Sequence, residues 1–564
     1  MIEKNPTRQV FAGAGVGRGA AIGPVIRVPS AAHPLSEGES EQVPVQSVQD
    51  AFVSVIRLLE VRAAEAHDAT VREVLEATAS IASDPELQRA VLAQMESGHN
   101  AVAAVNHAVS EFADAFTHAG GYLAERVTDL HSVRDKLIAE ILGLSAQESF
   151  HLEQPSVLVA EDLAPVDTAG LDLSMVLAIV LERGGPTGHT AIIATQHGIP
   201  CVMRVTGAKE LHSGDIVAVN AAESTVIFAP TSEDRTRIEA YNAALQSIVT
   251  NGVGATRDGH PVQLLSNIGT PEDAESLNRN ECEGVGLFRT ELPFLGREVA
   301  PSITEQRELY SRVLRAFTPQ KVVVRTLDAG ADKPLPFLRA DREENPALGI
   351  RGYRLTRRTT TLLDAQLRSL SAAATATNSE PWVMAPMITT AVEAGDFVRL
   401  ARAAGFKNAG VMIEVPAAAL RIGDILREVD FVSIGTNDLA QYTMASDRLV
   451  GELADLLSPW QPALLGLISH VLAESKRFGK QAGICGESAA DPVMALVLTG
   501  LGASSLSMSI SALPAVRYAL SQHTLKECQG IATAAMSADT AERAYTRARD
   551  LVHPEVKTKL SIRD

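Results

Sequence analysis

Cysteine is scarce in this chain: four in 564 residues, at Cys201, Cys282, Cys485 and Cys528. None has the paired spacing of a metal site, so a structural zinc is not expected. So few thiols in so long a chain suit a reducing compartment. Positive charge is also short, with 50 Lys and Arg against 68 Asp and Glu and a net of −18. A nucleic-acid partner is therefore not expected, because binding along a phosphate backbone needs clustered cations. Long apolar runs are missing too. The longest uncharged stretch, Pro492 to Val516, is broken by Gly500, Gly502, Pro514 and several serines, which reads as buried strand and helix and not as a membrane span. The opening MIEKNPTRQVFAGAG has no apolar core for a secretory signal. The expectation is a cytoplasmic protein with no membrane insertion.

What is present is 46% hydrophobic residues with only 4% aromatics, the composition of a helix-rich α/β protein with about three or four domains at ~150 residues each. Helical spacing runs through Phe52, Ile56 and Leu59, then Val71, Val74, Leu75 and Ile81, then Val102, Val105, Val109 and Phe112, with breaks at SDPEL and ESGHN. These segments, with a further helix from about Tyr122 to Leu142, predict a helical bundle. Short apolar runs follow (SVLVAEDL, MVLAIVLE, GIPCVM, GDIVAVNAA, STVIFAP) and predict a small sheet. The early VFAGAGVGRGAAIGPVIRV has the same character and is expected to return to that sheet, leaving the helices as an insertion.

A polar helix from Asp234 to about Ile248 then leads to eight strand candidates, beginning at residues 262, 285, 322, 382, 411, 431, 482 and 505. Most are separated by helix-length stretches, as in a (β/α)8 barrel. The fold class expected is multidomain α/β. Residues 1–29 and 150–231 form a discontinuous α/β domain, 30–149 its inserted helical subdomain, 232–254 a linker helix and 255–564 the barrel.

Polar residues gather at the C-terminal ends of the barrel runs: Arg289, Arg325, Glu414, Asn437 with Asp438, and Cys485. That rim is where catalytic groups converge in such barrels. Any one arginine is more often a surface ion pair. Arg289, Arg325 and Arg448 together suggest a clamp for phosphate and carboxylate, whose geometry the guanidinium fork matches. Glu414 closes an apolar strand and with Asp438 offers the sparse carboxylate set typical of Mg²⁺. A lone thiol is usually a small core residue. At the rim, Cys485 is a candidate proton donor to a carbanion-like carbon. In the other half, GGPTGHTAIIA places His189 among glycines that permit close backbone approach, with Thr187 and Thr190 near enough to orient the ring. His197 lacks that setting and reads as structural. The residues alone thus point to phosphoryl-transfer or enolate chemistry with Mg²⁺ and a mobile histidine domain.

GGPTGHTAIIATQHGIPCVM resembles the phosphohistidine motif of phosphoenolpyruvate-utilising enzymes. GVGLFRTELPFL, VVVRTLDAGADKPLPFL, EENPALGIRGYR, GVMIEVPAAAL, SIGTNDLAQYTMASDR and AGICGES then resemble, in order, signatures of the Enzyme I family of the bacterial phosphotransferase system. The resemblance spans essentially the whole chain. It implies transfer of the phosphoryl group of phosphoenolpyruvate to His189 through Nε2, release of pyruvate, and passage of the group to the phosphocarrier protein HPr as the first step of sugar uptake. It implies Cys485 as proton donor to the methylene carbon, and Arg289, Arg325, Asn437, Asp438 and Arg448 as substrate ligands. Glu414 and Asp438 would hold Mg²⁺, Lys333 and Arg351 would add positive charge, and Thr168 would contact the histidine ring. It further implies a homodimer through the barrel, and because His189 must serve both barrel and HPr, a swivelling of the histidine domain.

Several positions depart from the family pattern. Pro186 and Thr195 stand where arginines are common, Gly188 where a serine is, and Ala331 where a glycine is. Ser132, in ERVTDLHSVRDKL, occupies a usually acidic position near the expected HPr surface. Two other readings compete. A phosphoenolpyruvate synthase or pyruvate phosphate dikinase needs a large nucleotide-grasping domain ahead of the histidine, where only about 150 residues stand, and a sensor without turnover would not need the full set of reactive residues.

Overall fold

The computed structural model describes the chain except residues 1–6, 18, 29–42, 66–68, 120–125, 144–151, 153, 162, 164–172, 184–189, 191–193, 195–197, 247, 249–250, 278–280, 295–296, 298, 331–334, 339–342, 448–452, 454 and 563–564. It divides into two compact units, 1–242 and 243–564. Among the described residues, no helix is long and apolar enough to cross a membrane.

The first unit is built on an eight-stranded mixed sheet. Its strands are β1 (Gln9–Ala12), β2 (Ala14–Val16), β3 (Ala20–Arg27), β4 (Ser156–Ala160), β5 (Val176–Leu181), β6 (Cys201–Met203), β7 (Ile216–Asn220) and β8 (Thr225–Phe228). Their order is β1-β8-β7-β3-β4-β5-β6-β2. The early glycine-rich segment does return to this sheet. Val25 of β3 pairs in parallel with Val157 of β4 across the whole helical region. Alternation along β4 and β5 sends Leu158, Ala160, Ile179 and Leu181 to one core. Val157, Val159, Ala178 and Val180 go to the other, as the two-residue period of a strand requires.

Between β3 and β4 run helices Val45–Glu65, Ala69–Ala82, Pro85–Glu96, Ala101–Ala119 and Val127–Ile141. The breaks read from sequence fall between them, with Asp84 capping the third helix through Glu86 N–H. Phe52, Leu59, Leu75, Val102, Val105 and Val109 are buried together, with Ile56, Ile81 and Phe112 packed at the margin. The side chains of Val71 and Val74 lie outside the described residues. The polar helix spans Ser232–Gln246. Arg8 is tied to Asp234 by paired hydrogen bonds of 2.8 and 3.0 Å, which fastens the N-terminal segment to that helix.

In the second unit, β9 (Gln263–Ile268), β10 (Gly284–Arg289), β11 (Lys321–Arg325), β12 (Trp382–Ala385), β13 (Ala409–Ile413), β14 (Phe431–Ile434), β15 (Gln481–Ile484) and β16 (Ser505–Met508) close into a barrel, β16 pairing with β9. Every pairing is parallel. Outward residues such as Val324, Val383, Val411, Val432 and Ile484 join the surrounding helices in one continuous core. Helix starts are marked by reciprocal Ser or Thr and acidic pairs, at Thr270 with Asp273, Ser302 with Glu305, Thr390 with Glu393 and Thr524 with Glu527. Each pair satisfies two otherwise orphaned backbone N–H groups.

Candidate active site

The C-terminal ends of the barrel strands gather most of the residues singled out above. Strand register sets Arg289 directly beside Arg325. Arg325 is 5% exposed and is fixed by Glu291 and, at 3.2 Å, by Asp328. Although burial works against its charge, Glu291, Asp328 and Glu414 raise its pKa further, so it stays cationic. Asp328, fully buried, also accepts from Arg351 Nη2 at 3.1 and 3.3 Å, and Arg351 Nη1 reaches Asp438 at 3.2 Å. Arg351 is therefore a buried strut between two strand ends and not a rim cation.

Glu414 follows β13 and is 1% exposed. Its Oε1 accepts the Met387 N–H at 2.6 Å, from a backbone held at φ 59°. Its Oε2 is buried with no hydrogen-bond partner. Burial, then the charges of Asp438 and Asp328, pushes the Glu414 carboxyl well above the usual carboxylate range. Among the described residues this buried network brings four carboxylates (Glu291, Asp328, Glu414, Asp438) to two guanidiniums (Arg325, Arg351), and Glu291 Oε2 shares with Glu414 Oε2 the lack of a hydrogen-bond partner. Such an arrangement fits a divalent cation. Among the described residues no cluster of three or more His, Cys, Asp or Glu is placed to hold a metal by itself, so two carboxylates would leave the remaining positions to water and substrate.

Asn437 and Asp438 lie in the first turn of the helix Thr436–Met444. The turn is pinned by Thr436 Oγ1 to Ser488 Oγ at 2.8 Å and by the Glu487 N–H donating to Asn437 Oδ1 at 3.2 Å. Cys485, just beyond β15, is 3% exposed and packs on Leu287, Val323, Met384, Met412 and Phe431. Its thiol donates to the Ile434 carbonyl at 3.5 Å. Burial, helped by the charge of Glu414, pushes it up to about 11. The sulfur is therefore protonated at neutral pH, as a proton donor must be.

His189, Arg448, Lys333, Thr168, Pro186, Thr187, Gly188, Thr195, His197 and Ala331 lie outside the described residues. Thr190 is described, 4% exposed. Its hydroxyl donates to the Leu163 carbonyl at 3.0 Å. Ser132 is 5% exposed and accepts from Lys136 Nζ at 2.8 Å, which ties it into its own helix. Glu291 and Asp328 were not singled out in the sequence. An acid two or three residues behind an arginine at a strand end was the available signal. Nothing in the sequence foretells the Met387 N–H on Glu414, because it depends on a left-handed backbone that methionine rarely adopts.

A buried thiol, paired arginines and a carboxylate pocket at the rim of a barrel define a site for a small anionic substrate, and comparison with known proteins gives its class. Three descriptions match in chain order: "PEP-utilising enzyme, N-terminal" over residues 12–126, "PEP-utilising enzyme, mobile domain" over 152–224 and "PEP-utilising enzyme, PEP-binding domain" over 244–525. A phosphoenolpyruvate-protein phosphotransferase of Streptomyces coelicolor is 43% identical over 96% of this chain and 99% of its own. Those of Bacillus sp. (strain S) and Listeria monocytogenes are 37% identical over 83% of this chain and 84% of theirs, and 35% identical over 90% and 92%. The chain belongs to the phosphoenolpyruvate-protein phosphotransferase family.

Proposed function

We infer that this chain takes the phosphoryl group of phosphoenolpyruvate onto its own His189 and passes it to the phosphocarrier protein HPr, releasing pyruvate in the first step of sugar uptake. The observation that carries this reading is the protonated, buried Cys485 beside Arg289 and Arg325 at a rim that also holds Glu414 and Asp438. Phosphoryl transfer has a loose transition state stabilised mainly by positioned positive charge. Arg289, Arg325 and Arg448 would bind the phosphate and carboxylate of the substrate, with the Asn437 amide contributing a further polar contact.

The nucleophile is the neutral His189 imidazole, attacking through Nε2, which needs the right tautomer and not deprotonation. As the P–O bond breaks, enolpyruvate is left, and the Cys485 S–H supplies the proton that turns its methylene carbon into a methyl group. Glu414 and Asp438 would hold Mg²⁺, which when bound neutralises charge on the phosphoryl oxygens. The same reading places the protein in the cytoplasm, as a homodimer joined through the barrel, with the unit carrying His189 changing position during the cycle.

Intact-mass analysis after mixing with phosphoenolpyruvate and Mg²⁺ tests it. An acid-labile phosphoryl adduct on the wild type, absent from His189→Ala and discharged on adding HPr, is the expected result. Phosphoenolpyruvate consumed without an adduct, or an adduct that survives in His189→Ala, would overturn it.

A further inference from the structure

The helix Thr361–Thr377 joins the outer core of the barrel through Leu363, Leu367 and Leu370. Within that apolar stripe, where helical spacing calls for another leucine, stands Gln366, 1% exposed. A buried amide is costly unless its donors and acceptor are all bonded, and here they are. Oε1 accepts the Leu327 N–H at 3.0 Å, and Nε2 donates to Thr290 Oγ1 at 2.9 Å and to the Tyr310 hydroxyl at 3.1 Å. A backbone N–H can only donate, so Leu327 fixes which way round the amide lies. Both hydroxyls accept from Gln366 and pass their own protons on, Thr290 to the Arg325 carbonyl at 2.8 Å and Tyr310 to Gln306 Oε1 at 3.1 Å. Thr290 and Tyr310 are themselves fully buried.

This chain of bonds sits where the two rim arginines leave their strands. The register of β10 and β11 ends with Arg289 opposite Arg325. Beyond that pair Thr326 stays on β12, its N–H donating to the Met384 carbonyl at 2.9 Å, and side chains take over the link to β10. Thr290, next after Arg289, holds the Arg325 carbonyl, and Gln366 joins Thr290 to the Leu327 N–H just past Arg325. The two strand ends are thereby cross-linked immediately behind the arginines. Arg325 has further restraints in Glu291 and Asp328. Arg289 has no hydrogen bond or ion pair among the described residues, so the backbone of its strand end is what places it.

We propose that Gln366 is a positioning residue that sets the spacing of Arg289 and Arg325, and through it the fit of the rim to the phosphoenolpyruvate anion. The inference rests on the phosphotransfer reading above for the identity of that anion. Guanidinium contacts to phosphate and carboxylate depend on distance and angle together, and a displacement of about 1 Å in a positioned group is enough to lose much of its effect. Gln366 touches no substrate and acts through Thr290 and the backbone at Arg325 and Leu327. The outer half of the chain, from Tyr310 through Gln306 to the Pro301 carbonyl at 3.1 Å, ties the helix Ile303–Phe317 to Gln366 without bridging the strand ends. The two halves can therefore be cut separately.

The readout is the Kd for phosphoenolpyruvate with Mg²⁺, by calorimetric titration of the full-length chain carrying His189→Ala so that no transfer intervenes. Gln366→Met, which keeps the length of the side chain without its amide, and Thr290→Val, which removes only the hydroxyl, should each raise Kd about tenfold. The double variant should lose little more than either alone, because both break one bridge. Tyr310→Phe cuts the outer half and should lower the urea midpoint as Gln366→Met does, yet keep Kd within about twofold. If Gln366→Met does not fold, Thr290→Val against Tyr310→Phe decides the question. An unchanged Kd in the bridge variants, an equal rise in Tyr310→Phe, or losses that add would overturn the assignment. A chain with His189 intact that binds phosphoenolpyruvate but forms no phosphoryl adduct would remove the transfer reading and leave this comparison standing, whereas one that binds none would remove both.

Discussion

Gly435 offers the sharpest test of the carboxylate pocket. It caps the helix Thr436–Met444 with φ −89°, a conformation alanine also adopts, so any effect of Gly435→Ala comes from space and not from backbone strain. A Cβ there would sit 2.8 Å from Glu414 Oε2, 3.0 Å from Met412 Cε and 3.3 Å from Glu414 Cβ. Ordinary contact begins near 3.4 Å, leaving the carboxylate oxygen about 0.6 Å too close. Glu414 cannot swing aside freely, because its other oxygen is held at 2.6 Å by the Met387 N–H.

Crowding of this size in a packed interior costs about 1–3 kcal/mol. At ~1.36 kcal/mol per tenfold, that is a loss of roughly 5- to 150-fold if it falls on the transition state. The assay is pyruvate release against phosphoenolpyruvate and Mg²⁺ concentration, with urea denaturation alongside. The expected result is a lower kcat/KM and a higher Mg²⁺ half-saturation. Gly466, on the helix Pro462–Arg477 with nothing within 4 Å of its would-be Cβ, is the control. Gly466→Ala should gain about 0.5–1 kcal/mol of stability and leave activity alone. Wild-type activity and Mg²⁺ response in Gly435→Ala would refute the assignment of that oxygen.

Cys485→Ala should still form the phosphoryl adduct but release pyruvate at least ~100-fold more slowly, read by rapid-quench assay. Gly500→Ala should destabilise the second unit by about 3 kcal/mol in denaturant titration, because the new methyl would meet the backbone carbonyl of Cys528 on the facing helix. Glu527 is drawn from its ordinary 4.5 down to about 2, chiefly by the Thr524 backbone N–H. A depressed carboxyl contributes stability that is complete above about pH 4.5 and fades as the pH falls toward 2. Glu527→Gln should accordingly flatten the acid side of the melting-temperature profile of the second unit.

The barrel could be read from sequence because each strand is a short apolar run whose inward and outward residues alternate and whose ends carry turn residues. WVMA at 382–385 is the strand as observed. The helices between β3 and β4 were similarly legible, since Phe52, Leu59, Val102, Val105 and Val109 keep a helical period that burial then uses. Arg289 and Arg325 could be placed at strand ends, but not their different surroundings. Arg325 is enclosed by Glu291 and Asp328, while no hydrogen bond or ion pair to Arg289 occurs among the described residues. The departure at Ser132 has no consequence that the described structure explains.

Local chemistry written along the chain is enough to place Cys485, Glu414 and Asp438 at one rim, because strand direction and loop length follow from short-range pattern. What only the tertiary structure decides is the state of those groups. The protonated thiol follows from burial among Leu287, Met412 and Phe431. The orphaned oxygen of Glu414 and the strut made by Arg351 follow from contacts between residues far apart in sequence. Ser505 and Ser507 fit inside the barrel because Gly483 and Gly286 leave room for their hydroxyls. Desolvation and charge coupling depend on distances in space, and a linear pattern carries those only where the fold has already been set.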